Sequence, residues 1–155
     1  MSFTIRLARP SELDQILALF PRLASFEIPV WRRREDLWEG DVPMLKAWAA
    51  GELSSLVVIV AVDSSEKVLG VITASMREEL LSHQPSAHIE DLAVAEGYEG
   101  QGIGGSLIRA LEDEVRARGA TSISLHVFAK NTRARALYKR YGFDEELIRA
   151  FKPLD

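Results

Sequence analysis

Phe3, Ile5 and Leu7 alternate with polar neighbours, the two-residue period of a strand with one buried face. Pro10 and Ser11 then open a helix: Ser11 and Asp14 have capping-box spacing, and Leu13, Ile16, Leu17 and Phe20 form one apolar stripe. Pro21 and Pro29 punctuate the next stretch of chain. From Phe26 to Gly51 the pattern predicts one or two helical pieces, with Asp41 capping Pro43 to Ala50 and Gly51 ending it. Leu56 to Val62 is a continuous apolar, β-branched run, as expected of a strand covered on both faces. Asp63, Ser64 and Ser65 turn the chain, and Val68 to Ser75 returns as the second arm of a hairpin.

Arg77 to Ala87 reads as a polar loop and His88 to Ala95 as the next strand. A glycine-rich stretch, Gly97 to Gly105, leads into a helix whose apolar positions Ile103, Leu107, Leu111 and Val115 recur every four residues. Glu112 with Arg116 and Glu114 with Arg118 are spaced to pair on its wet side, and Gly119 ends it. Ile123, Leu125 and Val127 alternate as a strand, Asn131 caps a helix running to Tyr141, and a final strand is expected from Phe143. Hairpins mixed with crossovers predict an α/β fold of α+β type, with a mixed, largely antiparallel sheet and helices on both faces.

The 155 residues predict a single domain, residues 1–155, since a chain this long removes roughly 70% of its unfolded surface from water. Nineteen Lys and Arg against 23 Asp and Glu leave a net charge of −4, which argues against a nucleic-acid partner. No cysteine is present, which excludes disulfides, thiolate metal sites and a cysteine nucleophile. His83, His88 and His126 lack ligand spacing, so no metal is expected. The charged N-terminus and the absence of a long apolar run predict a cytoplasmic protein with no membrane partner.

The candidate chemistry begins where a strand runs into Gly100, Gly102, Gly104 and Gly105 and a helix comes at once after them. Several main-chain N–H groups can converge at such a junction, and the helix N-terminus adds partial positive charge; the product is an anion pocket suited to a pyrophosphate. Gly100, Gly102 and Gly105 satisfy the G-x-G-x-x-G dinucleotide fingerprint, but the following strand ends in Val127, Phe128, Ala129 and Lys130, without the carboxylate that reads a ribose. A Walker loop fails because Ile103 and Gly104 stand where Lys and Ser or Thr would be needed.

Glu99-Gly100-Gln101-Gly102-Ile103-Gly104 resembles the coenzyme-binding motif of the GNAT N-acetyltransferases, Gln/Arg-x-x-Gly-x-Gly/Ala, with Glu99 in place of the usual Gln or Arg. Asn131 to Phe143, NTRARALYKRYGF, is similar to the family's second motif, Asn-x-x-Ala-x-x-Leu-Tyr-x-x-x-Gly-Phe. The resemblance implies the GNAT fold, a twisted, mostly antiparallel sheet of six or seven strands, and acetyl-CoA as cosubstrate. It also implies coenzyme contacts from Leu92, Ala93, Val94, Gly100, Gln101, Gly102, Ile103, Gly104, Gly105, Asn131 and Tyr138. Glu99 is expected to turn its side chain to solvent.

Seven residues separate Asn131 from Tyr138, close to the 7.2 or so of two helical turns, so both project from one face. In the family that face lines the pantetheine arm, and Tyr138 stands near the thioester sulfur as a catalytic acid. Glu90 and Asp91 interrupt an apolar strand; neighbouring strand residues point to opposite faces, so only one is expected in the cleft. By resemblance Glu90 is that one, the catalytic base, while Asp91 pairs with Arg or Lys on the other side. His88 reads as a solvent-facing strand end.

The acceptor site draws on residues 26–50 and on the loop after Arg77. Trp31, Trp38 and Trp48 with five carboxylates there would suit a cationic amine, whereas Arg32, Arg33 and Arg34 would suit an acidic acceptor. The reading is direct transfer of acetyl from acetyl-CoA to a primary amine of a small molecule or peptide in a ternary complex, with a homodimer left open. A silent acyl-CoA-binding or sensing domain and, behind it, a dinucleotide-binding oxidoreductase are the alternatives.

Overall fold

A computed structural model describes residues 2–154. Its sheet has five strands in the order β1-β2-β3-β4-β5: β1 (Thr4–Leu7), β2 (Leu56–Val62), β3 (Val68–Glu78), β4 (Pro85–Val94) and β5 (Ile123–Leu125). The first four are antiparallel neighbours, and β5 lies parallel to β4. The helices are α1 (Leu13–Leu19), α2 (Val42–Ala49), α3 (Ile103–Ala117) and α4 (Thr132–Arg140).

Every residue of β2 is buried, because both faces of the sheet are covered. On one face Val57, Ile59, Leu69 and Ile72 meet Ile103, Leu107 and Leu111 of α3. On the other, Val58, Val60 and Val71 meet Ile16 and Phe20 near α1 and Leu45 of α2. Gly70 sits beneath α3, where a Cβ would come within 2.9 Å of Ile103 Cγ2, so its missing side chain lets the helix lie close to the sheet.

Several expectations are corrected. The N-terminal helix begins as a 3-10 turn at Pro10–Glu12, and Glu12 rather than Asp14 closes the box, accepting from the Arg9 N–H at 2.7 Å. Arg116 pairs with Asp113 rather than Glu112, while Arg118 does meet Glu114. The loop expected over residues 77–87 is shorter: β3 extends to Glu78 and β4 starts at Pro85, which leaves residues 79–84 to turn the chain. β5 stops at Leu125, short of Val127, and no strand forms from Phe143. Beyond Phe143, neighbouring Leu147 and Ile148 are both exposed, so the segment has no buried face for a strand register. The sheet therefore has five strands among the described residues, below the six or seven expected.

Candidate active site

The junction between β4 and α3 is built from left-handed glycines. Gly100 and Gly102 have φ of 77° and 84°, and nothing lies within 4 Å of where a Cβ would stand on either. Among the described residues, no main-chain N–H from Gly100 to Gly105 has a hydrogen-bond partner. α3 starts at Ile103, so its partial positive charge lies beneath the same amides. The next two glycines serve packing as well. A Cβ on Gly104 would meet Leu137 of α4 at 3.2 Å, and one on Gly105 would fall inside the Tyr141 ring.

Glu99 does not face solvent. Its carboxylate accepts from the Gly97 N–H at 2.9 Å and forms an ion pair with Arg22. Its own main-chain N–H and that of Gly97 hold it below the usual carboxylate range, with Arg22 and Arg133 adding to the effect. Arg22 also donates from Nε to the Val94 carbonyl at 3.3 Å. Sequence reasoning missed Arg22, which lies 77 residues from Glu99 in a short, mostly apolar 3-10 turn, Phe20–Ala24.

β4 presents an open edge beside this turn. Ala95 donates to the Leu69 carbonyl at 2.8 Å, and antiparallel alternation from that point directs the main-chain groups of Ala93 and Asp91 to β3. Those of Leu92 and Val94 face the opposite edge. There β5 pairs with β4 only from Ala87 to Ile89, so no strand covers the edge beyond, although Arg22 holds the Val94 carbonyl. Ala93, expected to join them, is turned toward β3 instead.

The β3–β4 register slips between Thr73 and Ala74, making Glu90 the extra residue of a bulge. Strict alternation fails there. Asp91 and Glu90 both lie within electrostatic reach of Asp41, which precedes α2. Asp91 pairs with no Arg or Lys; its Oδ2 accepts from the Thr73 hydroxyl at 2.8 Å. Burial, reinforced by facing Asp41, pushes Asp91 up to about 8. Burial also raises Glu90, against a lowering influence from Arg77. His88 is buried, hydrogen-bonded to Ser124 at 2.8 Å and edge-on to His126 at 4.8 Å; desolvation pulls it down to about 4.

α4 packs through Leu137 and Tyr138 on the α3 side of the sheet. The Asn131 carboxamide oxygen caps the helix, accepting from the Ala134 N–H at 3.3 Å. Tyr138 is half-buried, edge-on to Phe143 at 5.7 Å. Burial and the neighbouring Asp91 charge push its phenol up to about 12. It is therefore a hydroxyl donor at any ordinary pH. A separate cavity of about 370 Å³, lined in part by Arg116, Ser122 and Gly142, lies at the other end of α3.

The tryptophans and arginines of residues 26–50 separate by role. Trp38 and Trp48 pack on the α1 and α2 core, and Trp31 stacks on Phe151 with centroids 6.0 Å apart. Arg33 pairs with Asp36 at 2.9 Å, and the Arg32 guanidinium lies 4.4 Å from the Phe151 ring centre. Among the described residues no group of three or more His, Asp or Glu could hold a metal ion, and no helix is long and apolar enough to cross a membrane.

The sequence model of the Acetyltransferase (GNAT) family matches residues 18–143. The chain is 41% identical over 63 residues to the ribosomal protein bS18-alanine N-acetyltransferase of Escherichia coli, a match covering 41% of this chain and 43% of that enzyme. The chain thus spans under half the length of that relative. It is 30% identical over 158 residues to the streptothricin acetyltransferase of Streptomyces lavendulae, covering 92% of this chain and 82% of that protein. A putative acetyl transferase from Pyrococcus furiosus superposes with a TM-score of 0.79 at 22% identity, covering 99% of this chain and 100% of that one.

Proposed function

The chain belongs to the GNAT acetyltransferase family, and on that premise we propose that it transfers acetyl from acetyl-CoA directly to a primary amine. The observation that carries this reading is the run of unpartnered main-chain N–H groups from Gly100 to Gly105 at the start of α3. Such a row suits a diphosphate. The open edge at Leu92 and Val94 leads from it toward Tyr138 and suits the amides of a pantetheine arm. The acetyltransferases of bS18 alanine and of streptothricin support an amine or antibiotic acceptor of small-molecule or peptide size.

In the proposed reaction the amine nitrogen attacks the thioester carbonyl, the C–N bond forms, the C–S bond breaks and the thiolate leaves. A lysine-like amine is protonated up to about pH 10, so a proton must first be removed. Glu90, raised by its burial, is a better base than an ordinary carboxylate and takes that proton directly or through water. Tyr138 hydrogen-bonds the departing sulfur. Complete proton transfer from a phenol at about 12 to a thiolate near 8.5 is uphill by roughly 5 kcal/mol. The phenol therefore stabilises the thiolate as a donor, and the second proton, which the nitrogen loses as the amide forms, passes to solvent, from which the thiolate is protonated. With no cysteine in the chain, attack within a ternary complex replaces an acyl-enzyme on a thiol.

Acetyl-CoA should raise the melting temperature by mass action, and Gly102→Glu should abolish the rise, since it combines a left-handed φ with a carboxylate among the amides. An unchanged rise in the variant counts against the pocket. Tyr138→Phe should lower kcat ten- to a hundredfold, roughly the worth of one charge-assisted hydrogen bond, and alter coenzyme binding far less. Equal losses in both would leave Tyr138 as packing. Coenzyme binding without thiol release across a broad amine panel would favour the silent acyl-CoA-binding domain.

A further inference from the structure

Three carboxyl groups from two distant parts of the chain meet beside the bulge: Glu90 and Asp91 on β4, and Asp41 at the entrance to α2. Asp91 is only 2% exposed, and while its Oδ2 accepts from Thr73, its Oδ1 has no partner. A buried carboxylate oxygen without a donor is costly, and the cost is relieved by a proton or by a ligand that brings N–H groups. Among the described residues none of the three carboxylates has an Arg, Lys or His nitrogen within 4.0 Å. No metal-holding set exists there either. The groups felt at the cluster are Arg77, Ser75 and His126 at Glu90, Thr73 and the Asp41 carboxyl at Asp91, and the Tyr138 phenol beside Asp91. The site thus carries an excess of acid with an unfilled acceptor, and the complement is an organic cation rich in N–H donors.

Resting on the acetyltransfer reading, we propose that the acceptor is an amine bearing a second ammonium group, and that Asp41, together with Glu90 and Asp91, selects it. Asp41 is the specificity-determining member. Its side chain makes no cap bond to α2, although the helix begins beside it, and faces Asp91 instead. Of the Arg32–Arg34 run, which would have suited an acidic acceptor, Arg33 is paired with Asp36 and Glu39, and Arg32 lies over aromatic rings. Docking a cation in place of the proton on Asp91 releases that proton to solvent, so binding and proton release are coupled.

The test measures thiol release from acetyl-CoA with a linear diamine and with the amino alcohol of equal length, whose far amine is replaced by hydroxyl. The diamine should have the higher kcat/KM by about tenfold or more, the effect of one charge-assisted contact. Asp41→Asn should cut that ratio at least about fivefold through KM, with the coenzyme-induced melting shift retained as proof of folding. Equal kcat/KM for the two amines, or a ratio unmoved by Asp41→Asn, overturns the proposal. If neither amine turns over while the coenzyme shift stands, calorimetric titration of the diamine into coenzyme A-saturated protein in two buffers decides. Binding with proton release, weakened in Asp41→Asn, supports the proposal, and no binding overturns it. Loss of the coenzyme shift itself would sink the acetyltransfer reading instead, and the same titration on the free protein would then decide this one.

Discussion

Asp91 carries the most unusual chemistry of any single residue here. Its carboxyl is almost wholly buried, takes one hydrogen bond from Thr73 and faces a second carboxyl, so the fold favours its protonated form up to about 8. In the unfolded chain it would ionise at its ordinary value of 3.8. Between those two values the unfolded state binds fewer protons, so stability falls as pH rises through the window and levels off above it. His88, pulled down to about 4, acts in the opposite sense up to its ordinary 6.5, which makes comparison with a variant at each pH the clean measurement. Asp91→Asn mimics the neutral acid. Its melting temperature should gain on the wild type by about 3 °C or more at the alkaline end and by little below the window. A difference independent of pH would mean that Asp91 is ionised in the fold.

At the scale of elements, the bulge at Glu90 and the turn after Val94 cooperate. The bulge interrupts the regular ladder where β5 stops following β4, which leaves the edge at Leu92 and Val94 without a neighbouring strand, its Val94 carbonyl held by Arg22. The turn then delivers its amides next to that edge, with Glu99 anchored by Arg22 across from the α1 side. A carboxylate beside an anion pocket opposes a phosphate unless it is neutralised. Arg22→Ala should therefore weaken coenzyme A binding several-fold, and adding Glu99→Gln should recover most of the loss. Isothermal titration of both variants measures the coupling, and a double variant no better than Arg22→Ala would show that Arg22 acts only by packing.

Over the whole molecule, the sheet is an antiparallel body, β1 to β4, with one parallel strand paired to β4 only over Ala87–Ile89, and the candidate site begins where that pairing stops. Amide exchange reads that geometry directly. The N–H groups of Leu92 and Val94 should exchange rapidly in the free protein and slow by at least about tenfold with coenzyme A, while Ala93 is protected in both states. Equal protection of all three without coenzyme would mean a closed edge. The glycine turn, the strand and helix flanking it, and the Asn131 to Phe143 motif could be read from local pattern, because left-handed glycines, helical period and capping are short-range properties. So could the continuous apolar run that buries β2 and the four-residue apolar spacing that buries one side of α3. The position of Arg22 against Glu99, the turn of Ala93 toward β3, and the meeting of Asp41 with Asp91 were not in any local pattern. A bulge shifts which side a residue faces without marking the residue itself, and contacts between segments dozens of residues apart depend on how the layers stack. Residue order therefore marked most of the elements and the glycine turn between β4 and α3, whereas only the packed sheet decided the strand count and which charges stand together.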